Sequence, residues 1–100
     1  MKTNIENTKY SIATTNKFNK QLKKIIKQGK DLKKLINVVN CLANGNILDE
    51  KYRDYLLIDN KYFKNCRECH IEPDWLLVYR IIDNELILLL IETGSHSELF

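Results

Sequence analysis

A chain of 100 residues that is 44% hydrophobic and 29% charged, with three glycines and one proline, excludes a disordered, repetitive or linker-rich protein and suits one domain over residues 1–100. Its formal charge of +3 hides an asymmetry: residues 1–50 carry ten lysines against four acids, net +6, and residues 51–100 carry six basic residues against nine acids, net −3. The basic half suits a polyanion, although a lysine run alone is more often a solvated helix face, and the acidic half holds the side chains on which chemistry can be built.

Residues 8–13 alternate weakly and predict a short first strand. Thr14, Thr15 and Asn16 offer capping oxygens to a helix in which Phe18, Leu22, Ile25 and Ile26 recur at helical spacing, until Gly29 ends it. Asp31 caps a second helix with an apolar stripe of Leu32, Leu35, Ile36, Val39, Leu42 and Ala43, stopped by Gly45. The two make a helical hairpin whose apolar side needs a sheet to cover. Residues 55–58 predict a short strand followed by a turn at Asp59-Asn60-Lys61. Residues 66–72 alternate, with Cys69 and Ile71 facing one way and Glu68, His70 and Glu72 the other. Residues 75–82 are apolar on both faces, as in a central strand. A two-residue turn at Asp83-Asn84 leads to a last strand over 85–91, and the tail forms a turn and a short terminal segment. The expected fold is α+β, an N-terminal helical hairpin packed on a small antiparallel sheet.

The first fifteen residues are polar, without the apolar core of a secretory signal, and the longest apolar run, Leu86 to Ile91, is too short to span a bilayer. With an odd count of three cysteines, this predicts a cytoplasmic protein with reduced thiols and no membrane partner.

His70 and His96 both lie among carboxylates. An imidazole can take or give a proton at neutral pH, and Glu68 or Asp74 can orient it. One base for a ribose 2′-hydroxyl and one acid for the departing 5′-oxygen suffice to cut RNA. Spacing alone favours the plainer readings: a surface histidine, a core Trp75, a turn Asp74. Cys66-Arg67-Glu68-Cys69-His70 matches the haem-attachment pattern C-x-x-C-H, but no export signal accompanies it. Cys66, Cys69, His70 and His96 have the right types for zinc, yet residues three apart on a strand face opposite sides. Cys41 reads as a small core residue.

The blocks Arg67-Glu68-Cys69-His70-Ile71-Glu72-Pro73-Asp74-Trp75, Glu85-Leu86-Ile87-Leu88 and Thr93-Gly94-Ser95-His96-Ser97-Glu98-Leu99-Phe100 resemble the YafQ branch of the RelE/ParE-like type II toxins. Upstream, Phe18-x-Lys20, Gly29-Lys30-Asp31-Leu32 and Tyr52-Arg53-Asp54-Tyr55-Leu56 fit the same pattern. The resemblance implies a RelE-like fold and a toxin that enters the ribosomal A site and cuts the mRNA codon there without metal or other cofactor. It also implies an antitoxin partner that blocks the site. By position it implies His70 and His96 as the acid–base pair, Asp74 as their aid, and Glu68 at a usually acidic place. It implies Trp75 and Phe100 shaping the pocket, and Lys20, Lys23, Lys24 and Lys27 on RNA phosphates.

Two positions depart from the pattern. Tyr55 stands where the family often has a histidine, and a phenol is a poor base at neutral pH. Glu92 stands where the family tends to have an arginine, and an anion facing the site would repel the substrate. Arg67, Arg80 and Arg53 are the candidates to compensate, since losing one electrostatic stabiliser costs on the order of 2.7–4 kcal/mol. These departures motivate an alternative, a ParE-like toxin or binding module that acts on a protein target without cutting RNA. A small metal-binding protein built on the Cys/His set is the third reading.

Overall fold

The computed structural model describes residues 8–58 and 61–100. Helix α1 (Asn16–Lys27) begins where the Phe18 amide donates to Thr15 Oγ1 at 3.0 Å, and α2 (Leu32–Ala43) where the Lys33 amide donates to Asp31 Oδ1 at 3.0 Å. Between them Gly29 takes a φ of +78°, a conformation that costs glycine little. Helix α1 buries Phe18 and Ile25; α2 buries Leu35, Val38, Val39, Leu42 and Ala43. Ile26 and Ile36, expected in the apolar stripes, are half exposed instead. Each follows a buried residue, and one residue turns the side chain by about 100°.

Five strands form one sheet in the order β1-β5-β4-β3-β2. They are β1 (Ser11–Thr14), β2 (Tyr55–Leu56), β3 (Arg67–Glu72), β4 (Trp75–Ile82) and β5 (Ile87–Gly94). Strands β2 to β5 pair antiparallel, as expected; β1 alone runs parallel, beside β5, and the intervening chain supplies the long crossover that such a pair requires. Strand β4 is central and apolar on both faces. Trp75, Leu77 and Tyr79 join Cys69, Ile71, Leu88 and Leu90 under the helical hairpin. Val78 faces the other way, into a smaller cluster with Phe63 and Cys66, against which Leu57, Ile91 and Leu99 pack.

The connections differ from expectation. Strand β2 pairs only through Tyr55 and Leu56, and Ile58 is exposed. Asp59 and Asn60, expected in the following turn, lie outside the described residues. The β4–β5 link is not a two-residue turn: a 3₁₀ turn at Asp83–Glu85 is followed by Leu86 at φ +53°, so β5 starts at Ile87. Asp83 holds this wider loop, its carbonyl accepting the Leu86 amide and its carboxylate the Tyr10 hydroxyl at 2.7 Å. The tail folds into helix α3 (His96–Leu99), closed by a capping box in which Ser95 and Glu98 satisfy each other's amides. Among the described residues no helix is long and apolar enough to cross a membrane.

Candidate active site

Register places the two histidines at the same end of the sheet. His70 on β3 pairs with Leu76 on β4, and Leu76 pairs with Gly94 on β5. His70 and Gly94 are thus two strand spacings, about 10 Å, apart, with His96 two residues further on. Both lie at the sheet end where Asp74 closes the β3–β4 turn. Asp74 Oδ1 accepts the His96 amide at 3.1 Å and ties that turn to the start of α3. The carboxylate therefore positions the His96 backbone, and its hydrogen bond is not to an imidazole. The Phe100 ring lies 5.4 Å from the His96 ring and meets Phe63 edge-on at 5.6 Å, which leaves it partly exposed beside the imidazole.

Glu68 and Tyr55 form the second half of the site. Directly paired across β2 and β3, they meet through the Tyr55 hydroxyl, which donates to Glu68 Oε1 at 2.5 Å. The same oxygen lies 3.5 Å from His70 Nε2, and His70 Nδ1 lies 3.3 Å from the Pro73 carbonyl. Glu68 is only 2% exposed, so it is buried yet partnered on both sides. The hydrogen bond to Glu68, aided by burial, pushes the Tyr55 phenol up to about 12. Tyr55 is thus a donor that clamps Glu68 and not a base.

Several expected roles are corrected. Trp75 is fully buried, donating from Nε1 to Thr93 Oγ1 at 2.9 Å, and offers RNA no ring face. Arg67 points its Nε at Asp54 Oδ1, 3.2 Å away, and the same oxygen accepts the Tyr79 hydroxyl at 2.7 Å. The contact with Asp54 engages the Arg67 Nε, while the side chain stays 39% exposed. Lys24 is engaged with Glu98, whose carboxyl this contact holds down at about 2. Glu72 does not share the His70 side, because the β3–β4 register shifts between them; it reaches Lys34 at 2.8 Å and Lys30 at 3.7 Å. Glu92 does not confront the site either. It is buried against α1, accepting from Gln21 Nε2 at 3.0 Å and pairing with Lys17 at 3.2 Å.

The remaining basic candidates stay open to solvent. Lys20, Lys23 and Lys27 line α1, Arg53 follows a 3₁₀ turn at Glu50–Tyr52, and Arg80 stands on β4 about 13 Å along the strand from Leu76. Cys66 and Cys69 face opposite sides of the sheet, and among the described residues no three His, Cys, Asp or Glu side chains gather to hold a metal ion. Burial pushes both thiols upward, Cys69 the more strongly, as for inert core cysteines.

Sequence reasoning missed Gln21, whose amide binds Glu92 while its oxygen accepts the Thr93 amide at 2.9 Å; nothing in the sequence singles out that helix position. It also missed Phe63, for which an aromatic inside the polar run Lys61 to Lys64 was a usable signal. A cleft of about 450 Å³ beside β3, walled by Lys34, Asn37, Lys51, Arg53 and His70 among others, was not foreseen.

Comparison with known proteins agrees with this fold. The family described as bacterial toxin of type II toxin–antitoxin system, YafQ, matches residues 10–100. The chain is 34% identical over 90 residues to the mRNA interferase toxin YafQ of Escherichia coli strain B / BL21-DE3, covering 89% of this chain and 94% of that protein. Among solved structures, a metal-bound toxin from Helicobacter pylori superposes with a TM-score of 0.84 at 48% identity, over 91% of this chain and 99% of that one. A chain of the E. coli DinJ–YafQ complex superposes with a TM-score of 0.81 at 34% identity, over 91% and 98%.

Proposed function

The chain belongs to the YafQ family of type II toxins, and from that premise we propose that residues 1–100 act as one toxin domain cutting mRNA in the ribosomal A site. It is an endoribonuclease of the mRNA interferase kind, with a cognate antitoxin as partner. The cytoplasm, where translation runs, is its place of action. The observation that carries the reading is the single register row, His70–Leu76–Gly94, that brings two imidazoles to one end of the sheet.

In the proposed reaction one histidine takes the proton of the 2′-hydroxyl. The freed oxygen attacks the adjacent phosphorus, a 2′,3′-cyclic phosphate forms, and the P–O5′ bond breaks as the second histidine gives the 5′-oxygen its proton. His70 Nδ1 faces the Pro73 carbonyl at 3.3 Å, and its Nε2, 3.5 Å from Glu68 Oε1, is the nitrogen that can turn to the 5′-oxygen and give it a proton. His96, exposed beside Phe100, fits the acceptor, and Phe100 can stack on a base. These steps are carried by side chains and need no metal. Lys20, Lys23, Lys27, Arg53 and Arg80 supply the attraction to RNA. Lys17 pairs with Glu92 and Gln21 hydrogen-bonds it, so that anion does not meet the substrate, and the mRNA interferase relatives favour the RNA-cutting reading over a protein-directed toxin.

Induced expression with mapping of RNA ends tests the reading. Wild type should arrest growth and cut mRNA within codons, while His96→Ala and His70→Ala should each slow cleavage by about 10²–10⁴-fold. Full toxicity in the double alanine variant refutes it.

A further inference from the structure

The cleft beside β3 reaches past the proposed site, sharing His70 and Arg53 with it. Its walls come from α2 (Lys34, Asn37), the 3₁₀ turn and the residue after it (Lys51, Arg53), and the end of β3 with Pro73. Three cations meet there with one carboxylate, Glu72, which already serves Lys34 and Lys30. Lys51 and Arg53 have no carboxylate partner among the described residues; Lys51 only lies over the Tyr52 ring, at 5.1 Å. Unbalanced positive charge in a concave wall concentrates the field and draws an anion.

Backbone geometry adds an independent sign. Arg53 sits at φ +47°, where a side chain is disfavoured, held by its amide donating to the Glu50 carbonyl at 3.0 Å. Glycine would hold this turn with less strain; arginine puts a guanidinium there. The volume falls within the range of small-ligand pockets. His70 belongs to the wall, so the cleft opens next to the proposed proton donor.

We propose that this cleft is an anion subsite for the phosphodiester that flanks the cleaved bond, with Lys51 and Arg53 as its grips. The identity of the strand rests on the RNA-cutting reading. Lys34, partly balanced by Glu72, closes one wall, and the Asn37 amide is placed to meet a sugar or base edge.

The test is an NMR titration of the isotope-labelled full chain with a 2′-O-methyl trinucleotide, uncleavable because its attacking hydroxyl is blocked, at several salt concentrations. Amides of Asn37, Tyr52, Arg53 and His70 should shift. Lys51→Ala and Arg53→Gly should each weaken binding and reduce the slope of log Kd against log salt by about 0.7–1. Arg53→Gly should melt at or above wild type, which separates lost charge from lost fold. Lys33→Ala, exposed on α2 outside the cleft, should leave the cleft shifts unchanged. Shifts confined to α1 and α3, or a wild-type slope in both cleft variants, would overturn the proposal, as would cleft shifts caused only by a glutamate-rich peptide. If wild type cuts no codon in cells yet the cleft binds the trinucleotide, the cleavage reading falls and the subsite stands; cleavage with a silent cleft gives the converse.

Discussion

The two faces of the sheet are built on different rules. Under the helical hairpin the buried polar groups among the described residues are closed on one another: Trp75 Nε1 on Thr93, Thr93 Oγ1 on the Leu76 carbonyl at 2.8 Å, Tyr79 and Arg67 on Asp54. Burial and the bond to Asp54 push the Tyr79 phenol far above its usual range. On the opposite face His70, His96, Tyr55 and Phe100 are partly or largely open, and their contacts leave atoms turned to solvent. A closed face stabilises the fold; an open one can trade its solvent contacts for substrate. Strand β4 joins them at the centre of the sheet, its alternate residues serving each side.

That contrast breaks most visibly at Trp75. Trp75→Ala should cost about 3–5 kcal/mol of unfolding free energy in urea melts, because it removes a fully buried indole and opens a cavity. A variant that kept its stability would mean that the closed face does not hold the fold.

Tyr55→Phe sharpens the contrast from the other side. It removes the Glu68 clamp from a half-exposed ring, so it should leave thermal stability within about 1 kcal/mol while lowering kcat by loosening the His70 partner. Since the phenol is held at about 12, the wild-type pH–rate profile should carry no tyrosine limb between pH 6 and 9, and Tyr55→Phe should keep its shape. A profile that loses a limb in Tyr55→Phe would make Tyr55 a titrating participant.

The smallest effect belongs to the Lys24–Glu98 pair that ties α3 to α1. The folded Glu98 carboxyl, depressed to about 2 chiefly by Lys24, lies below its unfolded value near 4.3. The pair's contribution is therefore present above about pH 4.3 and lost as pH falls towards 2. Both groups are solvent-exposed and screened, so it is worth at most about 1 kcal/mol. Glu98→Gln should flatten that part of the stability curve; an unchanged curve would show that the capping box alone holds α3.

Much of this was legible in the chain because it is local. Thr15 and Asp31 as caps, Gly29 as a helix stop and residues 75–82 as a central strand each depend on a few neighbouring residues and one period. The resemblance marked His70, Asp74, His96 and Phe100, and the same end of the sheet holds them. It could not say that Trp75 is sealed, that Arg67 pairs with Asp54, or that Lys24 is engaged by Glu98, because each outcome depends on a partner 13 to 74 positions away.

By itself, then, the amino-acid order determined the elements, their apolar faces and the chemical types available for proton transfer, since these follow from short-range periodicity and side-chain identity. Only the folded chain decided which charges are paired and which stay open to solvent. The β3 register shift sends Glu72 to Lys34, Gln21 and Lys17 absorb Glu92, and Tyr55 locks Glu68. Charge pairing acts through space, and strands set side by side by the sheet are distant in sequence.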